Sequence, residues 1–498
     1  MALSFNQPVR NVFVLMLENR SFDHMFARSG IAGIAAATAA DTNPYAGGAP
    51  IPFSGGAPAT LSTDPHHEFG DVLEQLCGKG ATLPASKVYP PITNQGFAEN
   101  YATTFKNPPA TRAGVARIMA GVDTAAQTPA TYALARNYVL CDHWFSSLPG
   151  ATWPNRFFLH GASSAGLEHS PTAFDIGVWE ALSGFKYPNG SVFDRLGGGN
   201  WRLYQDKSGP IAGQIPQVSA LKGIHGSYVN DLGKLNADLA GNYPYAYTFI
   251  EPAYGDVVGN TYQRGSSQHP RDGLAAGDRL VARVYNTLRQ SPLWHQSMLI
   301  ITYDEHGGFY DHVAPGVAPA PGDNPPPRHN KSGFDFTRYG VRVPAIVVSP
   351  WVGKGVVDQV VRDHASVAAT LTSLFGMTPL TERDRHAASL WPALRQPMRP
   401  DSDCLTSVTG ATDPQPAAAP TPKVQALFSP AAPVPDGSNL QAVLYLVRKA
   451  HAEASVQPDH PVSLGFAPPP PQPAIATVAE AKAYIDQLAP HLFATRTD

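Results

Sequence analysis

Two apolar runs decide what this chain can fold into. Val12-Phe13-Val14-Leu15-Met16-Leu17 has no polar position, and Met298-Leu299-Ile300-Ile301-Thr302-Tyr303 is broken only by a threonine near its end. A strand with one wet face alternates apolar and polar residues; these do not, so each predicts a strand covered on both faces, as in a parallel sheet between helices. Both stop abruptly in charge, at Glu18-Asn19-Arg20 and at Asp304-Glu305-His306. Tyr138-Val139-Leu140-Cys141, Tyr245 to Ile250 and Val343 to Val348 read as further strands, the last with Pro344 confined to its start. Helical spacing appears near Ala113–Ala120 and Pro129–Asn137, from an Asp272 cap to Ser291-Pro292, and from an Asp363 cap to Gly376. Strands alternating with helices predict an α/β fold with a doubly wound, mainly parallel central sheet flanked by helices.

The 498 residues divide by composition. Residues 1–400 read as one α/β domain with insertions near 29–63, 78–112 and 165–245, the last a Gly- and aromatic-rich excursion expected to wall a pocket. A six-proline loop spans 314–331. Residues 401–498 read as a Pro/Ala-rich linker and a small helical tail, with helices near Leu440–Ala454 and Val478–Leu488. The balance of 36 basic against 39 acidic residues gives no field for nucleic acid or an anionic membrane. Cys77, Cys141 and Cys404 stand in no metal or redox spacing. The first apolar run is too short for a membrane span or a signal peptide, so the expectation is a cytoplasmic chain, one exported without such a signal, or a processed secreted form. Nothing in the sequence names an oligomeric state.

The chemistry gathers at strand ends, where open α/β sheets bind ligands. The first strand delivers Glu18 and Asn19, the strand ending at Cys141 leads to Thr152, and the strand ending at Tyr303 delivers Asp304 and Glu305. Thr152 follows the Pro149-Gly150 turn and precedes Pro154, which reads as a helix N-cap in a setting that favours anions. Neighbouring carboxylates repel one another, so a divalent cation among these oxygens is the simplest arrangement; oxygen ligands favour Ca²⁺, Mg²⁺ or Mn²⁺, with Zn²⁺ as the alternative. Such a cation would activate the Thr152 hydroxyl for attack on a phosphate ester far more than a helix dipole can. Histidines in polar knots, namely His67, His269, His306 and His312, suit phosphate contact and leaving-group protonation.

Glu18-Asn19-Arg20-Ser21-Phe22-Asp23-His24, Asp64-Pro65-His66-His67, Pro149-Gly150-Ala151-Thr152-Trp153-Pro154-Asn155-Arg156, His269-Pro270 and Tyr303-Asp304-Glu305-His306-Gly307-Gly308-Phe309-Tyr310-Asp311-His312-Val313 together resemble the bacterial phospholipase C and acid phosphatase family of the alkaline-phosphatase superfamily. The resemblance runs in order from about residue 10 to residue 390. It implies an alkaline-phosphatase-like fold and a metal held by Glu18, Asn19, Thr152, Asp304 and Glu305, with Thr152 also the nucleophile. His67 and His269 match histidines that touch the phosphate or serve the leaving group, with His66 competing for the first role; Asn155, His306 and His312 are the expected substrate-binding residues. A threonine nucleophile points to phospholipase C acting on phospholipid, with a broad phosphomonoesterase as the alternative and a silent binding protein the least favoured. The spacing Thr152-X-Pro154-X-Arg156 also mirrors a sulfatase motif, but threonine cannot be oxidised to the required aldehyde. The C-terminal β-rich modules of larger family members have no counterpart in this sequence.

Overall fold

The computed structural model describes residues 3, 6–103, 109, 111–172, 174–175, 178–179, 184–412, 422–436, 438–455 and 473–493. Its centre is an eight-stranded sheet: β1 (Asn11–Leu17), β2 (Val139–Cys141), β3 (Trp201–Gln205), β4 (Val229–Asp231), β5 (Tyr247–Glu251), β6 (Ser297–Tyr303), β7 (Ala345–Val348) and β8 (Val356–Asp358), in the order β8-β2-β7-β6-β1-β5-β3-β4. All pairings are parallel except those of β7, which runs antiparallel to both β6 and β2. Every residue of β1, β5 and β6 is buried, as the unbroken apolar runs require.

Two parts of the sheet differ from expectation. The excursion over 165–245 contributes β3 and β4, which extend the sheet beyond β5. β8 carries no apolar run because it is a three-residue edge strand, exposed at its first residue. β7 begins at Ala345, after Pro344, which has no N–H for the ladder; the Pro344 carbonyl instead accepts from Thr302 Oγ1 at 3.0 Å.

The principal helices are α1 (Phe69–Cys77), α2 (Pro129–Asn137), α3 (Thr152–Gly161), α4 (Leu274–Gln290), α5 (Ala365–Phe375), α6 (Asn439–Ser455) and α7 (Val478–Leu492). α2 packs on α4, α3 on α5, and α6 on α7. Three expected caps are corrected. Gly273, not Asp272, precedes α4, and the Asp272 carboxylate accepts from the Gly265 N–H at 2.9 Å. His364 precedes α5, while the Asp363 carboxylate accepts from Ser147 Oγ and Arg383, both at 2.9 Å. Ala151 precedes α3, which makes Thr152 its first residue and frees its hydroxyl from capping.

The helices of the tail lie near their expected positions, while much of the Pro-rich linker reading falls outside the described residues. Leu440, Leu444 and Val447 of α6 join the main apolar core, and buried Lys449 donates to the carbonyls of Ser219, Leu221 and Ile224. Among the described residues, no helix is long and apolar enough to cross a membrane.

Candidate active site

The register of the sheet brings the first two acidic strand ends together. β1 pairs with β6 from Asn11 opposite Ser297 to Leu17 opposite Tyr303, so Glu18 and Asp304 emerge as neighbours. Beyond them the backbone turns sharply. Asn19 sits at φ 61°, and its N–H donates to Asp304 Oδ1 at 3.0 Å. Gly307 lies so close that a Cβ there would come 2.3 Å from the Asn19 carbonyl oxygen, at a φ of +63° that side chains disfavour. Glycine is what lets the loops after β1 and β6 nest.

Thr152 reaches the same edge from β2, across two intervening strands. Asn155 shapes its approach: Oδ1 accepts from the Leu148 N–H at 3.2 Å, and Nδ2 donates to the carbonyls of Leu148, Gly150 and Ala151 at 3.0–3.3 Å. Asn155 therefore serves the turn before the hydroxyl and does not line the cleft described below. Arg156 moors the helix, with Nε donating to Asp304 Oδ2 at 3.0 Å and Nη2 to the carbonyls of Met16 and Leu17 at 3.4 and 3.2 Å. Thr152 Oγ1 donates to Asn19 Oδ1 at 3.3 Å.

The two expected catalytic histidines flank the same cleft. His67 donates through Nδ1 to the Pro65 carbonyl at 3.0 Å, which aims Nε2 toward Glu305 Oε1, 3.9 Å away. Burial alone would lower its pKa, but Glu305, Asp64, Glu68 and Asp71 outweigh it and push it up to about 9. His269 accepts the Arg271 N–H at Nδ1, 3.3 Å away, so its neutral ring carries the proton on Nε2, 3.7 Å from Asp64 Oδ1. Burial, then the nearby His67, Arg271 and Arg20, hold His269 well below the ordinary histidine pKa. Arg20 braces this stretch from the first motif, donating to the carbonyls of Gln268 and His269 at 2.8 and 3.2 Å. On its other side the His269 ring stacks on Tyr262, centroids 3.5 Å apart.

His306 and His312 are placed elsewhere. His306 is buried behind Glu305 and bonded to Gln75 at 2.7 Å. His312 donates from Nδ1 to Asp23 Oδ2 at 2.6 Å. Among the described residues, Asp23, Asp311 and His312 are the one His/Cys/Asp/Glu trio whose ligand atoms all fall within 4.8 Å of one another. That cluster already holds a cation: the Arg342 guanidinium pairs with Asp23, Asp142 and Asp311 at 3.1–3.2 Å.

The oxygens at the strand ends are different. Glu18, Asp304 and Glu305 are fully buried, yet neither Glu18 carboxylate oxygen nor Glu305 Oε1 has a hydrogen-bond donor at ordinary bonding distance. Burial, reinforced by Asp304 and Glu305 and opposed by Arg156 and the Ser267 hydroxyl, pushes the Glu18 pKa up to about 8. Asp304 is raised to about 6, also chiefly by burial, although Arg156 and two backbone N–H groups oppose the shift. Buried carboxylate oxygens without donors are costly unless a cation meets them. With Asn19 Oδ1 and Thr152 Oγ1 they form an all-oxygen donor set, which fits a hard divalent cation. The set is looser than the Asp23 cluster, as expected of carboxylates that repel one another.

Above these oxygens lies a cleft of about 250 Å³. Asn19, Thr152, Asp64, His67 and His269 line one part of it, and Glu68 and Asp71 add acidity. Another part is built by the tail, from Leu427, Phe428, Pro435, Asp436, Ser438 and Asn439. Sequence reasoning assigned no role to Tyr262, to Arg156 or to these tail residues. Only Arg156 had a local signal, its place in the motif around Thr152.

The model of the Phosphoesterase family matches residues 9–378. Non-specific phospholipase C6 of Arabidopsis thaliana is 34% identical over 419 residues, which cover 80% of this chain and 75% of the plant protein. Non-specific phospholipase C1 of the same plant is 32% identical over 417 residues, 80% and 73% of the two chains. Phospholipase C B of Mycobacterium tuberculosis is 27% identical over 403 residues, 74% of each chain. A solved protein of the alkaline phosphatase superfamily from Vibrio parahaemolyticus overlaps 55% of this chain and 67% of its own at a TM-score of 0.30 and 14% identity, a likeness too weak to argue from.

Proposed function

The chain belongs to the phosphoesterase family and is a phosphoric ester hydrolase, and from that premise we propose that it is a phospholipase C that cleaves phosphodiesters such as phosphatidylcholine on the glycerol side, through a phosphothreonine on Thr152. The observation that carries the reading is the Thr152 hydroxyl, free of capping, in one cleft with Asn19, His67 and His269 and beside buried carboxylate oxygens that lack donors. The relatives' names, phospholipase C in plant and bacterium alike, favour the diester over a monoester.

Glu18, Asn19, Thr152, Asp304 and Glu305 would hold a divalent cation, and when bound it would supply the positive charge that lets the Thr152 hydroxyl ionise. Thr152 Oγ1 then attacks phosphorus, the P–Oγ bond forms and the bond to the alcohol oxygen breaks. His67, which lines the cleft and whose proton is held by the surrounding carboxylates, gives its Nε2 proton to the departing alcohol. His269 donates from Nε2 to a phosphate oxygen, and its neutral tautomer suits a donor whose proton stays in place. Water next attacks the phosphothreonine, loses its proton to His67 and restores Thr152. Asn155 and Arg156 position the nucleophile through the turn and the strand ends and do not touch substrate.

Full-length protein assayed on dispersed phosphatidylcholine and on a simple phosphomonoester, with and without chelator, tests this reading. Release of phosphocholine, lost with chelator and regained with added divalent cation, is expected. Phosphate release from the monoester alone would overturn the phospholipase assignment.

A further inference from the structure

Most of the apolar lining of the cleft comes from the tail, which also supplies polar atoms from Asp436, Ser438 and Asn439. Asn19, Asp64, His67, Thr152 and His269 supply polar atoms from the α/β body. Leu427, Phe428 and Pro435 of the tail supply apolar surface, which the body adds to only through Pro65 and the Tyr262 ring. Leu427 and Phe428 are half-buried, so each still presents hydrocarbon to the cleft.

The tail segment is fastened in place. Asn439 bridges it to the body, with Oδ1 accepting from Trp153 Nε1 at 3.3 Å and Nδ2 donating to the Tyr262 hydroxyl at 2.8 Å. Trp153 adjoins Thr152, and Tyr262 is the ring stacked on His269, so Asn439 ties the tail to both sides of the proposed chemistry. Behind the segment, the N–H of Val478 donates to Ala432 O at 2.9 Å and that of Ala479 to Pro430 O at 3.0 Å. A surface pinned this way is already organised before a ligand arrives, which lowers the ordering cost of binding.

We propose that Leu427 and Phe428 are specificity-determining residues, an apolar wall that receives the hydrocarbon of the ester's alcohol portion and so selects alcohols by their apolar content. This rests on the phosphoester reading of the site, because it takes the phosphate to lie against Thr152 and His269. The alcohol then leaves toward the tail, which carries most of the apolar lining of the cleft.

Binding of butylphosphonate and octylphosphonate to the full-length protein, followed by calorimetry, tests the wall without requiring turnover, since the proposed chemistry does not break a C–P bond. The wild type is expected to bind the octyl compound about tenfold or more tightly than the butyl one, as four further half-buried methylenes would give. In a Leu427→Ser/Phe428→Ser variant that preference should fall to about twofold or less, with octylphosphonate affinity lowered more than butylphosphonate affinity. Phe428→Ala, a milder change, should lose part of the preference. Equal affinity for the two compounds in the wild type, no binding of either, or a preference that survives in the double variant would overturn the wall. Hydrolysis assays with butyl and octyl esters of phosphate and of phosphocholine separate the two readings. Chain-length preference in binding without hydrolysis of any ester overturns the proposed function alone, and hydrolysis indifferent to chain length overturns the wall alone.

Discussion

Glu18→Gln, studied in the chelated protein, tests the electrostatics of the site directly. The Glu18 carboxyl has a pKa of about 8 in the folded chain, against about 4.5 unfolded. The folded chain therefore binds this proton more tightly. Below pH of about 4.5 both states are protonated and the group costs nothing; as pH rises, stability falls by about 1.4 kcal/mol per pH unit and levels off above about pH 8, a total near 5 kcal/mol. Glutamine cannot ionise and escapes that penalty. Its amide N–H₂ carries two protons where protonated Glu18 carries one, so one more buried donor needs an acceptor, at a cost of about 1–3 kcal/mol when none is found. The stability curves of wild type and variant should therefore cross: in equilibrium urea unfolding with chelator, the variant is the less stable at pH 5 and the more stable at pH 9. Added divalent cation should reverse the order at pH 9 by stabilising the wild type more. Parallel curves between pH 5 and pH 9 would refute the reasoning, because Glu18 would then carry no buried charge.

Thr152→Ala should lower turnover by roughly 10³-fold or more and leave the fold intact, since the hydroxyl makes one long bond; acid-quenched protein should then carry no phosphate label. Gly307→Ala should cost more than about 2 kcal/mol in urea unfolding, as its Cβ would collide with the Asn19 carbonyl at a left-handed φ. Arg342→Met strips the shared cation from Asp23, Asp142 and Asp311, and a thermal melt should show a loss of about 3–5 kcal/mol, the usual cost of orphaning a buried ion-pair partner. Asn155→Ala should lower both stability and kcat, by about 2–4 kcal/mol and by at least tenfold, because it releases the turn that aims Thr152.

What could be read from the sequence is what depends on local pattern. An apolar run that stops at a carboxylate marks a buried strand and its ligand-bearing end, which is why Glu18, Asn19, Asp304 and Glu305 could be placed at one edge of a sheet. The helix caps were misread because an aspartate before a helix can find a donor outside it, as Asp272 does at Gly265 and Asp363 at Ser147 and Arg383. His306 and His312 show the same limit, since a histidine in a polar knot looks alike whether it faces a cleft or, as here, Gln75 and Asp23. The tail's share of the cleft had no local signal at all. Asn439 meets Tyr262 across 177 residues of chain, a contact set by how α6 seats on the body and not by any pattern near either residue.

The same register that makes the site legible also creates its electrostatic demand. Parallel strands lie about 4.8 Å apart, so pairing Leu17 with Tyr303 obliges the next residues, Glu18 and Asp304, to leave the sheet side by side, with Glu305 one position further on. Arg156 answers part of that charge at Asp304, but its Nη1 also lies 3.9 Å from Glu251, which draws on the same guanidinium. Three buried carboxylates face one shared guanidinium and the His67 imidazolium, which leaves roughly one negative charge over when all are ionised, and the chain relieves this by holding the Glu18 proton. A divalent cation would relieve it instead by offsetting the surplus, and it would release that proton as it bound. Calorimetric titration of the chelator-stripped protein with Mg²⁺, Ca²⁺ or Mn²⁺ in buffers of different ionisation enthalpy should therefore show about one proton or more released at pH 6.5 and fewer at pH 9, where Glu18 has already ionised. Binding that releases no proton at pH 6.5 would place the cation away from Glu18.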